Sequence, residues 1–271
     1  FSPLARIAHW LRRNTPSGSR RNIAAHYDLG NEFFALFLDE TMAYSCAVFP
    51  QAAGTLYEAS LAKFDRVCRK LDLTADDHVL EIGSGWGGFA VYAAGQYGCR
   101  VTTTTISRKQ YEYTSQRVAA AGLADRVTVL YEDYRVLKGS FDKLVSIEMI
   151  EAVGHQYFDT YFRVCSERLK PHGMMLLQAI VIPDQRYDAY RRQPDWIQKH
   201  VFPGGHLPSP AALREALARA SRLVVEREES FGADYARTLS AWPNSRARTA
   251  PRITMPNPPS WISARRSCGL R

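Results

Sequence analysis

Residues 78–88, HVLEIGSGWGG, decide the fold. Val79, Leu80 and Ile82 fall in the first strand of an α/β alternation. Gly83, Gly85 and Gly88 follow in the spacing G-x-G-x-x-G, at a turn where absent side chains let backbone amides approach a ligand and a helix N-terminus faces it. Outward from this unit the sequence alternates. Strands are predicted near 78–82, 100–105, 126–131, 142–148 and 173–181, and helices near 86–97, 107–121 and 156–169. Each crossover is long enough for parallel pairing, which gives a doubly wound, mostly parallel α/β sheet with helices on both faces. A helix at 57–71 precedes this unit. An aromatic-rich helical segment at 185–202, the turn cluster FPGGHLPSP, a helix at 210–220 and a strand at 222–231 follow it.

The glycine spacing alone is a weak signal, because tight strand-helix packing also calls for glycine. A dinucleotide site would need an acid at the end of the second strand, about 20 residues on, to hold a ribose. The sequence there is VTTTTIS, without a carboxylate, whereas Glu81 lies inside the first strand two residues before Gly83.

The chain has 271 residues, 46% apolar and 23% charged, which excludes disordered, collagenous and disulfide-stapled classes. No run approaches the roughly 20 apolar residues of a membrane span, and the first residues carry no signal-peptide pattern, so the chain reads as cytoplasmic. Phe1 in place of Met predicts a fragment or a processed product with sequence missing upstream. Five cysteines at wide spacings, without C-x-x-C, suggest buried thiols and no metal site. The formal charge of +8 is uneven. Residues 1–21 hold five Arg and no acid, and residues 238–271 hold six Arg and no acid. The middle therefore has 24 bases against all 27 acids, a net of −3. That weighs against nucleic acid as a partner and fits two basic ends on an anionic membrane surface.

Leu4, Ile7, Ala8 and Leu11, with Arg6, Arg12 and Arg13 around them, predict a short basic amphipathic helix, or the end of an upstream domain. NTPSGSRRN reads as a linker, so residues 1–21 are a basic arm and linker and residues 22–239 the folded domain. Residues 240–271 contain five prolines, no acid and no lysine, and PNPPSW can neither continue a helix nor sit in a central strand. This tail is predicted to be disordered.

LEIGSGWGG resembles motif I of the S-adenosylmethionine (SAM) dependent methyltransferases. The strings NIAAHYDLGNEFFALFLDETMAYSCAVF, TISRKQ, VSIEMIEAVGHQYFDTYF and FPGGHLPS, in that order, resemble the cyclopropane-fatty-acyl-phospholipid synthase family, which includes the mycolic acid cyclopropane synthases. The likeness runs from about residue 14 to Leu239. It implies a seven-strand Rossmann-like methyltransferase sheet under a helical lid, and SAM-dependent methylation of the double bond of an acyl chain, generally in a membrane phospholipid. Peripheral contact with the inner face of the membrane would follow, and a homo-oligomer stays open.

For SAM the resemblance implies contacts to Tyr44, Ser45, Glu81, Gly83, Gly85, Gly88, Thr105 and Gln110, and also Asp133 and Tyr134. Ser107 and Gln110 equally fit a helix capping box, and Tyr44 a core aromatic. The chemistry needs a base, since methyl transfer to an alkene leaves a carbocation and ring closure requires loss of a proton from the added methyl. The resemblance implies bound bicarbonate as that base, held by a Cys, a Glu, a His, a backbone position and a Tyr. Carried over singly, these are Cys46, Glu151, Gln178 where the family has His, and Ile180 as the backbone contact. Cys46 on residue type alone is equally an inert thiol, and Glu148 with Glu151 could be a solvated pair. The expected Tyr belongs to a C-terminal helix, and nothing in 240–271 matches it, as though the reading frame were shifted or truncated there. With the final strand also missing, cyclopropanation is expected to be absent or severely reduced. Two readings stand beside this one: a methyltransferase for a soluble small molecule, and a remnant that binds SAM or lipid without turnover.

Overall fold

The computed structural model describes residues 14–27, 30–51, 54–192, 196–202, 204–245 and 259–266. The predicted basic helix before Asn14 lies outside them. Seven strands form one sheet: β1 (His78–Ile82), β2 (Arg100–Thr104), β3 (Val127–Leu130), β4 (Phe141–Ile147), β5 (Leu169–Ile180), β6 (Leu223–Ser230) and β7 (Pro259–Arg266). Their order is β3-β2-β1-β4-β5-β7-β6. The first five strands pair in parallel, and β7 runs antiparallel to both β5 and β6. Strand order reverses between β1 and β4, and the crevice beyond their carboxyl ends is where open α/β sheets bind ligands.

Successive residues of the central strands divide between two apolar faces. Leu80, Leu144 and Leu177 belong to the cluster that packs on Phe158, Tyr161 and Phe162. Val79, Val145 and Leu176 belong to the one that packs on Phe64, Phe89 and Val101. Burial on both sides is why these strands read as continuous apolar runs.

The helices α1 (Pro16–Tyr27), α2 (Asn31–Ala35), α3 (Leu56–Lys70), α4 (Gly88–Tyr97), α5 (Arg108–Ala120) and α6 (Phe158–Arg168) are followed by α7 (Asp184–Tyr190), α8 (Trp196–His200), α9 (Pro210–Ala220) and α10 (Gly232–Ser245). Among the described residues none is long and apolar enough to cross a membrane.

Two sequence expectations are overturned. The stretch taken as a linker begins α1: the Thr15 hydroxyl accepts from Gly18 N–H at 3.1 Å, as an N-cap does, and Pro16 sits at the first helical position, where its missing N–H costs nothing. The final strand is not missing either. Residues 240–245 complete α10, and Pro259–Arg266 form β7, inserted between β5 and β6. Ser260, Ile262 and Ala264 are buried at a period of two, and Pro259 is tolerated because it is the first residue of its strand. The proline-rich composition outweighed that short alternation in the sequence reading.

Candidate active site

All ten residues expected to face SAM line one cavity at the carboxyl ends of β1 and β4. Gly83, Gly85 and Gly88 form its floor between β1 and α4, with Gly85 in the left-handed region at φ 49°. A Cβ on Gly88 would lie 2.7 Å from Thr41 O, so this glycine is needed for packing; a Cβ on Gly85 would meet nothing within 4 Å, so this one faces the open cavity. A cradle that a side chain would fill is the arrangement expected if a cofactor lies on the backbone.

Around this floor, Thr105 Oγ1 donates to Gln110 Oε1 (2.9 Å) and accepts from Ser107 N–H (3.1 Å), while Ser107 Oγ accepts from Gln110 N–H (3.3 Å). The predicted cap is therefore present, with Thr105 taking the place of the reciprocal Gln110 contact. Asp133 is buried and bonded to the Arg135 guanidinium at 2.6 and 2.8 Å. Arg135 also reaches Asn14 O (2.9 Å) and Ser19 Oγ (3.1 Å), so α1 closes this side of the cavity. Tyr134 is buried against Tyr161.

Glu81 is 2% exposed and accepts from Thr103 Oγ1 at 2.6 Å; burial pushes its carboxyl up to about 8, against the hydrogen bond and the nearby Lys63 charge. A carboxyl raised on folding stabilises the protein fully below its ordinary value of 4.5, and that contribution is lost as pH rises through about 8. The melting temperature of the Glu81→Gln variant is therefore expected to fall less than that of the wild type between pH 5 and pH 9, roughly the window spanned by these two values. Parallel melting curves for the two proteins across that window would contradict the assignment.

The segment Tyr44–Ser45–Cys46 runs past the cavity toward the sheet. Tyr44 sits among Phe34, Phe37, Phe202 and Trp242, with ring centroids 5.3, 6.0, 6.4 and 5.2 Å away. The lid end at Phe202 and the C-terminal helix α10 thus meet on one aromatic wall. Ser45 Oγ accepts from Lys63 Nζ at 2.6 Å, and Lys63 is fully buried beneath it. Burial pushes the Lys63 ammonium down, and Glu148, Cys46, Asp39 and Glu81 oppose that shift.

Cys46, Glu151, Gln178 and Ile180 meet behind this cavity, and Glu148 joins them to it. Glu148 Oε1 accepts from Cys46 N–H (2.9 Å) and Gln178 Nε2 (2.7 Å), while Glu151 Oε1 accepts from Ile180 N–H (2.5 Å). Burial and the Glu148 charge push the Glu151 carboxyl up to about 8. Burial also raises Glu148, against the Cys46 N–H, Lys63 and the Gln178 amide. The Cys46 thiol is buried, donates to Ala47 O at 3.2 Å and is pushed well up by burial and Glu148, so it is not a nucleophile.

The model of the family described as mycolic acid cyclopropane synthetase matches residues 15–255. The chain belongs to this family. It is 42% identical over 255 residues to the tuberculostearic acid methyltransferase UfaA1 of Mycobacterium tuberculosis, covering 88% of this chain and 60% of that protein. It is 41% identical over 244 residues to the cyclopropane-fatty-acyl-phospholipid synthase of Escherichia coli K12, covering 89% and 61%. The chain thus spans about three-fifths of the length of these two relatives. The crystal structure of mycolic acid cyclopropane synthase CmaA1 with SAH and CTAB superposes with a TM-score of 0.82 at 29% identity, over 91% of this chain and 98% of that one. The sheet is therefore the SAM-methyltransferase sheet of cyclopropane synthases.

The tyrosine sought beyond Leu239 has a counterpart before it. Tyr235, on α10, is 6% exposed, and its hydroxyl is pushed well up by burial and then by Glu148, Tyr44, Cys46 and Glu151, the groups it faces. Thr238, one turn on, accepts from Ala47 N–H at 3.0 Å and pins the helix to the Cys46 segment. Phe231, Tyr235, Leu239 and Trp242 recur at helical spacing, a signal readable in the sequence. Lys63 also left a trace, as a charge on the buried face Ala59, Ser60, Phe64, Val67 of α3.

The nitrogen donors around the expected bicarbonate position are already taken by carboxylates of the chain. The backbone N–H of Cys46 and the Gln178 amide are bonded to Glu148, and the Ile180 N–H to Glu151. Gln178 Nε2 also donates to Cys46 O at 3.2 Å, and Gln178 Oε1, left without a partner, is an acceptor that cannot hold an anion.

Proposed function

We propose that this chain transfers a methyl group from SAM to the double bond of an unsaturated acyl chain of a membrane phospholipid and closes it to a cyclopropane. The observation that carries this reading is the continuity of three features: the glycine-floored cavity, the aromatic wall at Tyr44, and the buried polar cluster joined to both through Glu148. SAM, when bound, supplies an electrophilic sulfonium methyl. An alkene is a poor nucleophile, so the protein must align it and keep water away. Tyr44, Phe202 and Trp242 supply an apolar surface for the chain, and aromatic faces turned to a developing carbocation stabilise it. Gly83, Gly85, Thr105 and Gln110 would hold the cofactor, and Asp133 through Arg135 positions α1 over it.

Acyl chains of membrane phospholipid are favoured over a soluble substrate by the acid-free basic segment 1–21 and by Phe33, Leu36 and Trp196, exposed by 44%, 56% and 67%. Each basic group near an anionic surface contributes on the order of 1 kcal/mol, so peripheral contact at the inner face should weaken with salt in vesicle sedimentation. Incubation with unsaturated phospholipid vesicles and methyl-labelled SAM should place the label in acyl chains. The Gly85→Val variant should abolish it, because its Cβ enters the open cavity from a backbone conformation disfavoured for valine. Calorimetry is expected to show SAM affinity reduced at least tenfold in Gly85→Val with the fold retained; equal affinity would place the cofactor elsewhere.

A further inference from the structure

We propose that Glu148 is this chain's own base for ring closure, its carboxylate standing where an external anion would otherwise be held. The inference rests on the function proposed above. Glu148 directly follows β4 at φ 46°, a left-handed conformation that a non-glycine residue adopts only when its surroundings impose it. Those surroundings are Gln178 and Cys46. Glu148 N–H donates to Gln178 O at 2.8 Å, Gln178 Nε2 returns a bond to Glu148 Oε1 at 2.7 Å, and Cys46 N–H adds a second to the same oxygen at 2.9 Å. The Cys46 N–H, Lys63 and the Gln178 amide favour the carboxylate, against burial, which raises Glu148 and so strengthens it as a base. Two donors at residues that the resemblance places around bicarbonate, the Cys46 backbone N–H and the Gln178 amide, are thus used by a side chain of the protein itself.

Position separates Glu148 from Glu151. Glu148 lines the cavity together with Tyr44, Ser45 and Gly83, whereas the unpartnered Glu151 Oε2 has no accessible surface and cannot meet a substrate in this arrangement. Burial raises both carboxyls, and it is Glu148 that faces the cavity. After methyl transfer, one C–H bond of the added methyl breaks and its electron pair forms the C–C bond to the cationic carbon. The proton passes to a Glu148 carboxylate oxygen, leaving cyclopropane and a neutral carboxyl that returns the proton to solvent. No external base is consumed.

The experiment compares wild type, Glu148→Gln and Glu148→Gly in carbon-dioxide-free buffer, with and without added bicarbonate or formate. Wild-type turnover should be unchanged by bicarbonate. Glu148→Gln, which keeps the shape, should lose at least about 100-fold while binding SAM normally. Glu148→Gly frees the Cys46 and Gln178 donors and should regain activity with bicarbonate or formate. Stimulation of the wild type by bicarbonate of about tenfold or more, or near-normal turnover by Glu148→Gln, would overturn the proposal. A second readout needs no turnover: titration with carbon-13 bicarbonate, followed by NMR, should show saturable binding to Glu148→Gly and none to the wild type. Saturable binding to the wild type would overturn the proposal by itself. Failure of the wild type to methylate any lipid, with that binding contrast intact, would sink the functional reading and the base role with it, and leave Glu148 as the group that occupies the anion position.

Discussion

Ending the chain after Ser245 is expected to unfold the β5–β6 side of the sheet. In the intact chain β7 pairs with β5 from Met174↔Arg265 to Ile180↔Pro259 and with β6 from Leu223↔Arg266 to Ser230↔Ser260, so β5 and β6 are joined only through it. Without β7 both strands expose a row of backbone groups, and Ile262 and Ala264 leave the core. Each buried backbone group left unsatisfied costs about 1–3 kcal/mol, against a total stability of roughly 5–15 kcal/mol for a domain. Several such losses exceed what the domain can absorb. Hydrogen exchange should show β5, β6 and β7 protected in the full chain, and fast exchange across residues 223–245 after truncation. An unchanged urea midpoint in the truncated chain would refute the role given to β7.

The second large effect is expected at Lys63. Its ammonium, fully buried on Ser45, is the positive charge facing Glu148 and Glu81 from beneath the cavity. Removing one partner of a buried ionic group leaves the other charge uncompensated, which costs about 3–5 kcal/mol. The Lys63→Met variant keeps the packing of the stem and should lose roughly that amount of stability in denaturant titration at pH 7. It should also lose turnover beyond what its folded fraction explains, because Glu148 would then favour its neutral form. Wild-type stability in Lys63→Met would mean that the lysine is already neutral and compensates nothing.

The central strands were legible because burial on both faces leaves unbroken apolar runs: β1 was placed at 78–82 and is found at His78–Ile82. The glycine turn, Tyr44 and Thr105 were legible through family strings, and the structure brings them to one cavity. What escaped was written in weaker patterns. In β7 only Ser260, Ile262 and Ala264 carry the alternation, and the prolines and arginines around them are the composition of a loop. Tyr235 was passed over because the helix that carries it begins at Gly232, before the composition changes. Glu148 and Lys63 are charges whose meaning depends on burial, and no spacing rule separates a buried pair from a solvated one. Their electrostatic interaction runs from the residue after β4 to α3 and became visible only in three dimensions.

The most direct test of the function is mass spectrometry of phospholipid acyl chains after incubation of the intact chain with unsaturated vesicles and methyl-labelled SAM. Unsaturated chains that gain one labelled CH2 and lose their reactivity as alkenes are the predicted result. Label found only in soluble small molecules, or SAM bound with no label transferred to any acyl chain, would contradict it.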